Sequence, residues 1–186
     1  IVLSELPEDG WIILPKQDYD IKSQIARKGK QLKDWDVEFY RGFLTGFNDA
    51  FFIDAAKRQE LIAEDSTSEE IIKPLLRGRE IRKYGYSFNE NYVIFTRRGF
   101  DVKKYPAITN HLKLFKQKLE PKPTDWDNNL KWEGRKPGDY KWYDFQDNIA
   151  YYPVFEKEKL VWLAISDKPA FALDTNRMYV TAPAFM

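Results

Sequence analysis

An α+β fold, a twisted mixed sheet with helices packed to one side, is what this sequence predicts, and three observations predict it. Helical signals crowd the first two thirds of the chain. Short strand-like runs, spaced roughly eight residues apart, dominate the end. The 186 residues are 43% hydrophobic and 16% aromatic, enough apolar material for one core and a single domain spanning 1–186.

In order, Trp11 to Leu14 is an apolar lead-in or edge strand ahead of Pro15. Asp20 is placed to cap a helix running to about Lys33, with Ile21, Ile25 and Leu32 on one face and Lys22, Arg27, Lys28, Lys30 and Lys33 elsewhere. Ala50 to Asp54 reads as a strand, and Lys57 to Ala63 as a short helix anchored by Leu61 and Ile62. Ser66 to Glu70 holds two overlapping Ser/Thr-x-x-Glu boxes that start a helix, and Pro74 should end it. Leu75 to Arg79 is then extended chain.

Tyr84 to Phe88 and Tyr92 to Thr96 predict two strands across an Asn89-Glu90-Asn91 turn. Pro106 suits a first helical position, and Ile108, Leu112, Phe115 and Leu119 form the cleanest helical stripe in the chain. Pro121 and Pro123 break that helix, and Thr124 to Gly138 is a polar loop. Trp142-Tyr143, Val154-Phe155, Leu160 to Ile165, Phe171 to Leu173 and Met178 to Thr181 are the closing strands.

Composition excludes several function classes. The chain has no cysteine, so disulfides, thiolate metal sites and cysteine nucleophiles are absent; this fits a reducing cytoplasm. It has no apolar run long enough to span a membrane. His111 is the sole histidine, which removes His-rich metal sites; between Ile108 and Leu112 it reads as structural. Acidic-x-Lys pairs at Asp20/Lys22, Asp101/Lys103, Glu120/Lys122 and Asp139/Lys141 are what chance provides in so charged a chain, so a metal-dependent nuclease is not supported. A net charge of +1 hides an asymmetry. Residues 1–72 carry 9 Lys and Arg against 15 Asp and Glu, residues 73–122 carry 13 against 4, and residues 123–186 carry 8 against 10. A basic middle third is the footprint expected of a nucleic-acid surface.

The stretch Tyr40 to Asp54 joins a turn with Gly42 and Gly46 to an apolar run. Glycines four apart free the backbone for positive φ or close approach, beside the short polar side chains of Thr45 and Asn48. The pattern Arg-Gly-x-x-Thr-Gly-x-Asn-x-Ala-Phe from Arg41, followed by Ile72-Lys73-Pro74-Leu75-Leu76-Arg77-Gly78-Arg79-Glu80-Ile81, resembles the target-recognition domain of TaqI-like adenine-specific DNA methyltransferases. Further matches come in the same order: Tyr92 to Thr96, Tyr105 to Ile108, His111-Leu112, Gly134-Arg135-Lys136, Tyr140 to Tyr143 and Phe155-Glu156-Lys157. The resemblance runs from about Leu14 to Tyr179.

The resemblance implies sequence-specific binding of double-stranded DNA, on behalf of a catalytic domain elsewhere in the same polypeptide. That domain would use S-adenosylmethionine to methylate adenine N6 of a flipped base, as in type IIG restriction-modification enzymes. Whether the parent also carries an endonuclease stays open. This chain has no Gly-rich cofactor loop and no Pro-Pro pair, so no cofactor and no catalytic residue is assigned to it. Starting at Ile1, it reads as a piece excised from that larger polypeptide. The candidate DNA-binding residues are Arg41, Thr45, Asn48, Arg77, Arg79, Lys83, Arg97, Arg98, Arg135, Lys136, Tyr140 and Trp142, because arginines read guanine edges and lysines, amides and aromatic faces hold backbone and bases. Arg77, Arg79, Arg82 and Lys83 form the densest basic cluster, with Gly78 letting the backbone near a phosphate. The alternative is a protein- or glycan-binding module using exposed aromatics.

Overall fold

A computed structural model describes residues 14–127 and 129–186. It divides into two compact units, residues 1–38 and 39–186. In the first, α1 (Lys16–Lys28) starts behind Pro15, whose fixed φ of −52° suits a helix entry, so it begins ahead of the predicted cap Asp20. It ends at Gly29, whose N–H bonds the Ile25 carbonyl at 2.8 Å, and a 3₁₀ turn follows at Leu32–Asp34. None of the residues of α1 is buried. Of the predicted lead-in, Trp11 to Ile13 lie outside the described residues.

The second unit combines helices with mixed sheets and is an α+β fold. The elements β1 (Phe52–Ile53), β2 (Ile72–Leu76), β5 (Tyr92–Ile94) and β8 (Tyr179–Val180) form a sheet in the order β1-β5-β2-β8. The strand β5 pairs antiparallel with both β1 and β2, whereas β8 runs parallel to β2, with Leu75 opposite Tyr179. A two-stranded ribbon joins β3 (Ile81–Arg82) to β4 (Gly85–Tyr86), and a third sheet has the order β7-β6-β9, from Phe171–Asp174, Lys159–Leu163 and Ala184–Phe185.

Several local expectations yield to this topology. Pro74 lies inside β2 rather than ending a helix, and Ser66–Glu70 is a 3₁₀ turn capped by Asp65. The missing Pro74 donor is tolerated because β8 pairs only with Leu75 and Leu76. The predicted hairpin of Tyr84 to Phe88 with Tyr92 to Thr96 does not form. Instead β4 turns back on β3 through Tyr84 at φ 67°, while β5, with Val93 and Ile94 fully buried, enters the sheet centre. Ala50 and Phe51 belong to a helical turn, α2 (Asn48–Phe51), before β1. The stripe from Ile108 is divided between α4 (Pro106–Lys113) and α5 (Lys116–Leu119), where Leu114 and Phe115 bond three residues back and tighten the turn. Ile108, Leu112 and Leu119 are nevertheless fully buried. The helix after Asp54 forms as predicted, α3 (Ala55–Glu64), with the Asp54 carboxylate accepting the Lys57 N–H at 2.8 Å. Trp142-Tyr143 is irregular and Val154-Phe155 falls in a 3₁₀ turn.

The core centres on Phe43, fully buried. Its ring stacks on Phe145 at 4.9 Å and meets Phe155, Phe95 and Phe52 edge-on at 5.8–6.5 Å. The backbone around Phe43 zips onto the end of the chain: Tyr40 and Met186 exchange both hydrogen bonds, Gly42 N–H reaches the Ala184 carbonyl at 2.8 Å, and Phe43 N–H reaches Val180 at 3.1 Å. Gly42 is needed there because a Cβ would stand 2.5 Å from the Thr181 carbonyl carbon. Beneath the third sheet, Lys159 Nζ and Asp174 form a buried ion pair at 2.5 Å, and Asp174 also accepts from Tyr86 Oη and the Met178 N–H.

His111 is a joint of the fold, as its apolar setting predicts. Its Nε2 lies 3.0 Å from the Ala50 carbonyl, holding α4 against α2, and burial pushes its pKa below the ordinary 6.5. Below pH 6.5 the unfolded chain takes up a proton that folded His111 resists, so stability present above pH 6.5 is lost as the pH falls toward the folded value. The loss of stability between pH 7 and pH 5, read from denaturant midpoints, is expected to be smaller in His111→Gln, which keeps a donor for Ala50.

Candidate nucleic-acid interface

The Gly-rich loop is held by its own side chains. The Thr45 hydroxyl accepts the Phe47 N–H at 3.1 Å and donates its single hydrogen to Asn48 Oδ1 at 2.7 Å. That fixes the Asn48 carboxamide so that its NH₂ group is the one on offer. Gly46 takes φ +84°, and a Cβ there would stand 2.6 Å from Arg135 Cδ. Thr45 itself is fully buried, so it orients Asn48 rather than meeting a ligand, a correction to its assignment as a contact.

The arginine turn sorts its charges. Glu80, 2% exposed, accepts the Arg77 N–H at 2.8 Å and Arg77 Nε and Nη2 at 3.0 and 2.9 Å. The guanidinium of Arg77 is therefore matched by a buried carboxylate and serves the turn Gly78–Glu80 before any partner. Gly78 answers to packing: a Cβ would stand 2.5 Å from Leu163 Cδ2 of β6, so close approach to a sheet, not to a phosphate, requires it. Arg79 is exposed and has no acidic partner among the described residues.

These two loops meet, as expected of a common surface. A cleft of about 730 Å³ is lined by Asn48, Asp49, Arg77, Arg79, Asn91 and Pro183, among others. Asp49 and Asn91 were not among the residues singled out from the sequence. Their signal was adjacency: Asp49 follows Asn48, and Asn91 closes the Asn-Glu-Asn turn.

The remaining candidates scatter. Arg41 pairs with Asp147 at 3.0 Å, and the same carboxylate takes the Leu44 N–H. Arg97 is exposed and lies 4.2 Å over the Tyr152 ring. Arg98 is tied to the carbonyls of Asp139 and Gln146 at 2.6 and 3.3 Å. Lys83 and Lys136 are exposed, Lys83 Nζ standing 5.0 Å over Tyr84. Trp142 is half-buried under Lys116 Nζ at 5.7 Å. Tyr140 is buried, with its hydroxyl donating to the Lys136 carbonyl, so its ring has no free face for a base; this corrects its assignment as a stacking residue.

Arg135 departs furthest from expectation. It is 3% exposed, and its guanidinium donates to five main-chain carbonyls: Leu119 at 2.7 Å, Thr45 at 2.8 Å, Asp144 at 2.7 Å, Lys141 at 3.1 Å and Trp142 at 3.0 Å. Tyr140 lies 4.5 Å beneath it. Burial pulls its pKa down to about 10, which leaves it charged at neutral pH. Its donors face inward, so it is a structural cation and not a DNA contact. The nearby Asp144 carboxyl is raised by burial, opposed by the Lys141 N–H that it accepts at 3.0 Å. Among the described residues no group of three or more metal-ligating side chains is present, and no helix is long and apolar enough to cross a membrane.

Replacing Arg135 with Met preserves much of the packing volume but strands the carbonyls of Leu119, Trp142 and Asp144, while those of Thr45 and Lys141 keep the N–H groups of Gln146 and Asp144. Because each buried orphan costs about 1–3 kcal/mol less whatever water recovers, Arg135→Met is expected to destabilise by roughly 3–5 kcal/mol in denaturant unfolding. Gly46→Val should also destabilise, since it combines positive φ with a clash on the same guanidinium.

A search of curated proteins finds no match to the chain. A family model, the TaqI-like C-terminal specificity domain, matches residues 73–186, a span that holds the arginine turn, Arg135, the strands β3 to β9 and all of β2 but Ile72, and that follows the Gly-rich loop. The chain belongs, by a match covering more than half its length, to the family of TaqI-like C-terminal specificity domains.

Proposed function

We propose that this chain is a double-stranded DNA recognition domain that gives target choice to an adenine-N6 methyltransferase of the type IIG restriction-modification kind. It acts as one domain of a larger cytoplasmic polypeptide, whose catalytic domain holds S-adenosylmethionine, the methyl donor, and the flipped adenine. This chain's residues grip and read the duplex. The observation that supports the reading best is Arg79: an exposed guanidinium free of acidic partners among the described residues, lining a cleft, within the span matched to a specificity domain. Arginine is the side chain suited to guanine O6 and N7, and to phosphate as the lesser alternative. Lys83, exposed shortly after it, supplies positive charge for the backbone, while the Arg82 guanidinium donates to the carbonyls of Arg79 and Ile81.

Arg79→Ala in the intact polypeptide is the test. A base-reading Arg79 predicts binding weaker by about 1–3 kcal/mol together with relaxed target choice. A phosphate-holding Arg79 predicts uniform weakening across sequences and a salt slope lower by about one. Affinity, selectivity and salt slope all unchanged would refute the placement of DNA on this face. Binding insensitive to salt in the wild type would favour a protein or glycan partner instead.

A further inference from the structure

The cleft beside Arg79 is not built like a phosphate site. Of the charged groups lining it, Arg77 is matched by Glu80, which leaves Arg79 facing the carboxylates of Asp49 and Asp54. A phosphate entering there would meet at least as much negative as positive charge. Asp54 is occupied as the cap of α3 through its bond from Lys57 N–H. Asp49 is exposed and makes no hydrogen bond or ion pair among the described residues.

The hydrogen-bonding pattern makes the same distinction. Phosphate oxygens only accept, so a phosphate site needs donors alone. This cleft offers donors from Arg79 and from the Asn48 NH₂ group, whose orientation Thr45 fixes, beside an acceptor at Asp49. Mixed donors and acceptors are what a major-groove base edge presents, with guanine O6 and N7 accepting and the amines of cytosine N4 and adenine N6 donating. The platform is firm: Ala50 and Phe51, the next two residues of α2, are fully buried, and His111 holds the Ala50 carbonyl.

We infer that Asp49 is a specificity-determining residue, accepting a hydrogen bond in the major groove from the exocyclic amine of a cytosine or adenine in the target, while Arg79 reads a base alongside it. The inference rests on the duplex-DNA reading above. Asp49 and Arg79 thus act on base edges, and Lys83 on the backbone.

The test is selection of bound duplexes from a pool with randomised central positions by the intact polypeptide, wild type against Asp49→Ala, with sequencing of what is retained. Wild type is expected to enrich a motif containing at least one fixed C·G or A·T pair, and the base enriched tells cytosine from adenine. Asp49→Ala, which removes the acceptor, is expected to lose preference at that one pair by about tenfold. Its binding to non-target duplex should hold or strengthen, since a negative charge is gone. Asp54→Ala, which removes a helix cap, should lower stability and keep the motif intact. If Asp49→Ala strengthens binding to every duplex equally and retains the whole motif, Asp49 is only a repelling charge and the inference is overturned. If wild type enriches no motif, the DNA-recognition reading falls, and this assignment with it.

Discussion

A single buried cation organises the polar interior of residues 39–186. The guanidinium of Arg135 draws together the carbonyls of Thr45, Leu119, Lys141, Trp142 and Asp144, which come from the Gly-rich loop, the end of α5 and the irregular segment before Phe145. None of these segments carries a sheet ladder that would satisfy those oxygens. One planar side chain with five donors in a fixed fork replaces it. Gly46 exists in relation to that fork, since any side chain there would meet Arg135 or Gln146. The loop that orients Asn48 is therefore shaped from inside the domain.

The basic residues divide into two populations that differ in what faces them. Arg77, Arg98 and Arg135 are held by Glu80 or by backbone carbonyls, and Arg41 by Asp147. Arg79, Lys83 and Lys136 are exposed with no acidic partner among the described residues. Charge held by a buried partner is structural, because withdrawing it would leave a carboxylate or a set of carbonyls unpaired in a medium of low dielectric. Charge without such a partner is available to a ligand. Of the two arginines around Gly78, the buried Glu80 holds Arg77 and leaves Arg79 exposed without an acidic partner among the described residues.

The apolar core places these groups. Phe43, stacked on Phe145 and ringed by Phe52, Phe95 and Phe155, anchors the chain just before Thr45, and its backbone pairs with Val180 and, through Gly42, Ala184. That pairing brings Thr181 to Pro183 to the cleft that Asn48 and Arg79 also line. Ala182-Pro183 is a cis peptide within this segment. The cleft thus assembles side chains more than a hundred residues apart.

Read alone, the sequence determined what local chemistry decides. Fold class, the helix start at Pro106, the buried face of α4 and the structural place of His111 all depend on neighbours within a few residues, through periodicity and capping. The ordered motifs likewise carried the family resemblance. The tertiary structure decided the rest: that β5 lies at the sheet centre instead of in a hairpin, that Pro74 sits in a strand, that Thr45, Tyr140 and Arg135 face inward, and that Arg79 is free where Arg77 is bound. Each outcome depends on a partner distant in sequence or on the depth at which a side chain comes to rest. An arginine before a lysine reads the same whether five carbonyls or a phosphate await it. Only the folded chain determines which of them it meets.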